Sequence, residues 1–235
     1  MSLPARSTAV HATLLGFALL LAGCAGDPGG EGSAPAVPRT TSMPSPSAES
    51  SPSFPLASGY AGSILPEPLR AGAFTLTDQR GRAFRFPRDT IGRVTLLYFG
   101  YTHCADICPG TLAGIAVALR DLPADVRDAI DVVFVTVDPG RDTVEVVGSW
   151  VGLFSEDFVG LTGTQEEIER ALATFGFPPP AILDIGGGEY TVGHPAGVLA
   201  FTSDGFAHLE YPFGVTVEMW QHDLRKLVAD GWEEP

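Results

Sequence analysis

The sequence predicts an α/β fold, a helix-and-sheet sandwich with an N-terminal β-hairpin. Three observations carry that reading. Val94 to Phe99 is an apolar run interrupted only by Thr95, as expected of a strand buried on both faces, and 131–137 reads as a second buried strand. Between them lies a stretch with helical spacing, so strand, helix and strand imply a right-handed parallel crossover. Short β-rich segments on either side of polar turns add hairpins before and after this unit.

In chain order, 74–77 and 83–86 flank Asp78-Gln79-Arg80-Gly81, the first hairpin. After the strand 94–99, Pro109 opens a helix, because its ring pre-sets φ and its missing N–H is no loss in a first turn. Leu112, Ile115, Ala116 and Leu119 give that helix an apolar face. After the strand 131–137, Asp142 and Glu145 have the look of a variant helix cap, with Val144, Val147, Val151 and Phe154 along one face. Ile168, Leu172 and Phe175 mark another helix. Segments 198–201 and 206–211 flank Thr202-Ser203-Asp204-Gly205, a second hairpin, and Val217, Trp220, Leu224, Leu227 and Val228 mark a closing helix. This order is compatible with a thioredoxin-like fold.

The chain of 235 residues is divided in three. Residues 1–24 read as an export signal: Arg6 is a short positive region, an apolar stretch too short to span a bilayer follows, and Leu21-Ala22-Gly23-Cys24 resembles the lipobox of bacterial lipoproteins. The resemblance implies lipidation at Cys24. Residues 25–59 read as a disordered tether. Of the 29 residues from 25 to 53, 21 are Pro, Ser, Gly or Ala, too few apolar groups to offset the entropy of ordering. A flexible coil of ~30–40 residues spans roughly 30–40 Å. Residues 60–235 are the globular domain. A net charge of −14, with Lys226 the only lysine, excludes nucleic acid as a partner. With Cys24 lipidated, Cys104 and Cys108 remain as a pair in an oxidising compartment, where a disulfide can persist.

That pair lies at the carboxyl end of the strand 94–99, where open α/β sheets bind ligands. Cys108 falls at a helix N-terminus, where free N–H groups favour a thiolate, so a lowered thiol pKa is expected. Two sulfurs at this spacing can converge on one point, for disulfide exchange or for metal ligation.

Tyr98-Phe99-Gly100-Tyr101-Thr102-His103-Cys104-Ala105-Asp106-Ile107-Cys108-Pro109 strongly resembles the Sco/SenC family, as do Val137-Asp138-Pro139-Gly140-Arg141-Asp142-Thr143 and Phe74-Thr75-Leu76-Thr77-Asp78-Gln79-Arg80-Gly81. The resemblance implies a membrane-tethered thioredoxin-like protein that binds copper through two Cys and one His. It also implies a partner, the copper-centre subunit of cytochrome c oxidase, and a place on the extracytoplasmic face of a bacterial membrane. By family order the histidine is His194, giving Cys104, Cys108 and His194 as the copper ligands. Two sulfurs and a nitrogen suit copper, soft thiolates favouring Cu(I) and the imidazole helping to hold Cu(II). The chain departs from the family in having Gly193-His194-Pro195 where Asp-His-Ser is common, so the imidazole lacks a neighbouring carboxylate to orient it. Pro195 could fix the loop or be cis.

Other candidates rank behind these. His103 adjoins Cys104, but neighbours on an extended segment point apart. His208 and His222 fall in a strand and a helix and read as satisfied histidines. Asp138 either faces the cysteines or is a turn carboxylate, and Asp106 reads as a loop or helix-start carboxylate. The leading function is copper metallochaperone. The alternative is a thiol–disulfide oxidoreductase using Cys104 and Cys108 without copper, which has no need of His194. A thiol peroxidase with Thr102 and Arg141 fits the paired cysteines poorly.

Overall fold

The structure, a computed structural model, describes residues 59–232. The expected signal with Cys24, and all of the expected tether except Gly59, lie outside the described residues. Ten strands and five α-helices follow in order, with one 3-10 turn at Arg88–Thr90: β1 Ser63–Arg70, β2 Phe74–Asp78, β3 Ala83–Phe86, β4 Val94–Gly100, α1 Ile107–Arg120, α2 Ala124–Arg127, β5 Ile130–Thr136, α3 Val144–Val151, β6 Val159–Thr162, α4 Gln165–Ala173, β7 Ala181–Gly186, β8 Glu189–Gly193, β9 Val198–Phe201, β10 Phe206–Tyr211 and α5 Val217–Asp230.

Eight strands form one sheet in the order β1-β10-β9-β4-β5-β6-β2-β3, and β7 and β8 form a separate hairpin. The middle strands β4, β5 and β6 are parallel, and β9 runs antiparallel to β4. All seven residues of β4 are buried, which explains an apolar run interrupted only by Thr95. Alternation along the strands feeds two cores. Leu96, Tyr98, Val132 and Phe134 pack with residues of α1, α3 and α5, while Leu97, Phe99, Val133 and Val135 pack with Ile168 and Leu172 of α4. No helix among the described residues is long and apolar enough to cross a membrane.

The expected hairpins are present as β2–β3 and β9–β10, and the crossover as β4-α1-β5. A further strand, β1, precedes the first hairpin. Its two prolines hide it from pattern reading, and it lies at a sheet edge, where proline is tolerated. Helix α1 begins at Ile107, two residues before Pro109, so Cys108 lies within its first turn. Asp142 does not cap α3: the cap is Thr143, whose side chain accepts from the Val146 N–H. Helix α4 starts with a capping box in which Thr164 and Glu167 satisfy each other's backbone N–H groups.

Candidate metal centre

Chain geometry at the end of β4 forces the two cysteines and the sheet together. Gly100 ends the strand beneath the site. A Cβ there would lie 2.9 Å from Cys108 Sγ and 2.8 Å from the Phe134 ring, so any larger residue would displace the sulfur. The chain then turns, with the Cys104 N–H donating to Tyr101 O at 3.2 Å, and enters α1. The orphan N–H of Cys108 donates to Cys104 Sγ at 3.3 Å. Helix-end polarisation therefore acts on the half-buried Cys104 sulfur.

Cys108 behaves differently from the sequence expectation. Its side chain points into the core and is fully buried. Burial pushes the thiol up to about 12, although the Tyr98 hydroxyl, which donates to Cys108 Sγ at 3.3 Å, pulls the other way. Loss of water outweighs the helix terminus here, because a buried sulfur cannot leave its charge in solvent. Both cysteines are free thiols.

His194 lies between β8 and β9. Its Nδ1 is 2.8 Å from Pro195 O. A carbonyl only accepts, so Nδ1 carries the hydrogen and Nε2 presents a lone pair. Nε2 is 3.8 Å from Cys108 Sγ. Burial lowers the imidazole pKa, against the pull of the Pro195 and Phe99 carbonyls, and so favours the neutral ring. Tyr98 and Tyr101 meet the ring edge-on, with centroids 6.4 and 5.6 Å away. Pro195 thus does through its backbone what the missing carboxylate would do. Among the described residues the one cis peptide is Phe86–Pro87, so Pro195 is trans.

The Cys104 and Cys108 sulfurs and a His194 nitrogen all lie within 4.8 Å of one another, and among the described residues no other group of three such ligands occurs. Two soft sulfurs and one nitrogen fit trigonal Cu(I). A structural zinc site would want a fourth ligand.

Two carboxylates brace this cluster without joining it. Asp142 is fully buried and accepts from Thr102 N–H (2.9 Å), Thr102 Oγ1 (2.6 Å) and Thr136 Oγ1 (2.5 Å). It ties the cysteine loop to the end of β5. Asp138 accepts from Arg141 Nε at 2.5 Å and from the Tyr190 hydroxyl at 2.9 Å. Its charge is spent on that pair, so it belongs to the scaffold and does not face the cysteines. Arg141 Nη1 also donates to Tyr190 O at 3.2 Å, and Tyr101 and Thr191 hydroxyls meet at 2.8 Å. These contacts dock the β7–β8 arm that leads into His194.

The remaining candidates lie elsewhere. His103 is half exposed, 3.1 Å from Thr102 Oγ1 and 3.6 Å from Asp142. His208 pairs with Asp204 at 2.7 Å and stacks on Trp232. His222 pairs with Asp223 at 2.8 Å. Asp106 is exposed and makes no side-chain cap. Thr102 and Arg141, the residues a peroxidase would need, are committed to Asp142 and Asp138. Sequence reading missed Tyr98, Asp142 and Tyr190 as supports; the one hydroxyl on the Val94-Leu96-Tyr98 face of an apolar strand was the available signal for the first.

A family model described as SCO1/SenC matches residues 65–229. The structure is similar to Bradyrhizobium japonicum ScoI with copper bound, at TM-score 0.60 and 32% identity, covering 67% of this chain and 98% of that one. It is also similar to apo Sco1 of Thermus thermophilus, at TM-score 0.64 and 32% identity, covering 73% and 99%. Among curated sequences, the mitochondrial SCO1 homolog of Mus musculus is 39% identical over 132 residues, 54% of this chain and 45% of that protein. The match thus spans under half of the mouse protein.

Proposed function

The chain belongs to the SCO1/SenC family, and from that footing we propose that it is a membrane-tethered, extracytoplasmic copper metallochaperone for the cytochrome c oxidase copper centre. One observation carries the reading: three ligand atoms of the right softness within 4.8 Å, the imidazole presenting an unprotonated Nε2 to them. Copper is the cargo. Cys104 and Cys108 as thiolates and His194 as neutral imidazole hold it, and the oxidase subunit's own ligands displace them. A copper-free copy of the chain can reduce a disulfide between that subunit's cysteines, forming its own Cys104–Cys108 disulfide as two thiols are released on the partner, while a reduced copy brings the copper. In this reading Cys24 carries the lipid, residues 25–59 are the tether, and residues 60–235 deliver copper within its reach.

Copper titration of the purified reduced chain tests this. One copper per chain is expected, poor binding by the oxidised chain, and damage from Cys104→Ser or Cys108→Ser to both copper binding and disulfide exchange. His194→Ala should weaken Cu(II) binding most while disulfide exchange persists. No stoichiometric copper uptake by the reduced chain would leave the copper-free oxidoreductase as the better description, and unchanged copper binding by His194→Ala would remove His194 from the ligand set.

A further inference from the structure

Strand β4 carries one polar side chain on its α1 face that its packing does not call for. Tyr98 is fully buried and fills the core between Phe134 and His194, a job that phenylalanine would do as well. A buried hydroxyl costs free energy unless it finds a partner. This one donates to Cys108 Sγ at 3.3 Å.

We propose that Tyr98 is a positioning residue for the copper site: its hydroxyl hydrogen-bonds the Cys108 sulfur and sets how strongly that sulfur donates to copper. This rests on the copper-binding reading above. A thiol sulfur is a weak acceptor, whereas a thiolate is a strong one. The bond therefore gains most when Cys108 gives up its proton to a metal, so it favours the loaded site over the empty one. An O–H donor also draws electron density from the sulfur. That weakens donation to Cu(II) more than to Cu(I), and so tilts the site toward the reduced ion. The fixed position of Tyr98 on a central strand and the full burial of Cys108 keep the donor aimed without reorganisation.

The test uses the full-length reduced chain, with Cu(I) affinity read by competition against a chromophoric chelator and the Cu(II) form read by its sulfur-to-copper absorption band. Tyr98→Phe should weaken Cu(I) binding about tenfold, the lower end of what outer-shell partners contribute. It should also move the band to lower energy and favour Cu(II) relative to wild type. Site-specific fluorotyrosine at position 98 keeps the shape and strengthens the donor. It should shift the band the opposite way, in step with the number of fluorines, a response that packing alone does not give. These fluorotyrosine chains decide the matter if Tyr98→Phe does not fold. Wild-type affinity and band in Tyr98→Phe, or no graded response to fluorination, would reduce Tyr98 to a core residue while leaving the copper function intact. A wild-type chain that takes up no copper would overturn both.

Discussion

The guanidinium of Arg141 lies 3.6 Å from the centre of the Tyr190 ring while its Nε reaches the buried carboxylate of Asp138. One side chain thus joins the end of the central sheet to the arm that delivers His194. Two of the three proposed ligands are built into the strand–loop–helix frame, and the third depends on this clamp.

Arg141→Ala should therefore act through His194 without touching it. Copper affinity is expected to fall by roughly ten- to a hundredfold, as for other groups that orient a ligand. The Cys104–Cys108 pair should still oxidise and reduce. Arg141→Lys should rescue little, since an ammonium cannot both fork to Asp138 and lie flat on a ring. Chelator competition and hydrogen exchange across 181–193 measure it, and undiminished affinity would mean that the arm holds without the clamp.

Gly100→Ala adds one methyl group where Cys108 Sγ and the Phe134 ring already crowd within 3 Å. Overpacking should cost about 1–3 kcal/mol in a denaturant melt. Copper affinity should also drop, with every ligand still present. A variant as stable and as copper-competent as wild type would show that the site can slide.

Asp142→Asn replaces an acceptor-only group with one that turns an NH₂ toward donors. Three donors converge on the carboxylate, so about 1–3 kcal/mol of stability should be lost. Loop mobility around Cys104 should rise, read as faster alkylation of that thiol.

Copper uptake should be steeply pH-dependent. Cys108 rises to about 12 from an ordinary 9.0, so at neutral pH the empty site holds that proton and copper must expel it. Affinity should then climb about tenfold per pH unit for this one proton and fall as pH drops. For the copper-free fold the sign is opposite. A thiol raised by burial stabilises the fold fully below about pH 9 and loses that contribution as pH climbs toward 12. His194 works at the other end: its pKa is lowered, so its share of stability is lost as pH falls through the ordinary imidazole range. Isothermal titration in buffers of different ionisation heat counts the protons released, and a count of zero would contradict the buried thiol.

Cys24→Ser should release the chain from membranes or block signal removal. Fractionation and the mass of the mature N-terminus read the outcome. Normal processing with full membrane retention would show that Cys24 is not the anchor.

Much of this was legible in the sequence. An apolar run, a cysteine loop and helical spacing place Cys104 and Cys108 at the right end of the sheet, and family order singles out His194. The β7–β8 arm was not legible, because all six residues of β7 are exposed and show no alternation to read. Its signal was Gly186-Gly187-Gly188, each at positive φ, between two β-rich runs. Spacing locates Cys108 on a helix end but does not say that its sulfur turns inward, so the sequence predicts a shift of its thiol opposite to the one burial imposes. Asp142 and Thr143 are adjacent residues of cap type, and the sequence alone does not say that Thr143 caps α3 while Asp142 is buried.

The bond that fixes the His194 tautomer has the Pro195 carbonyl as its acceptor, and no substitution can delete a carbonyl from the main chain. Point changes at 193 or 195 reach the imidazole only by bending the loop, whereas a one-residue insertion or deletion between β8 and β9 would carry the acceptor away altogether. The metal-ready face of the ring is written in the length of this loop more than in its letters, so the connection should tolerate drift in composition and resist change in length.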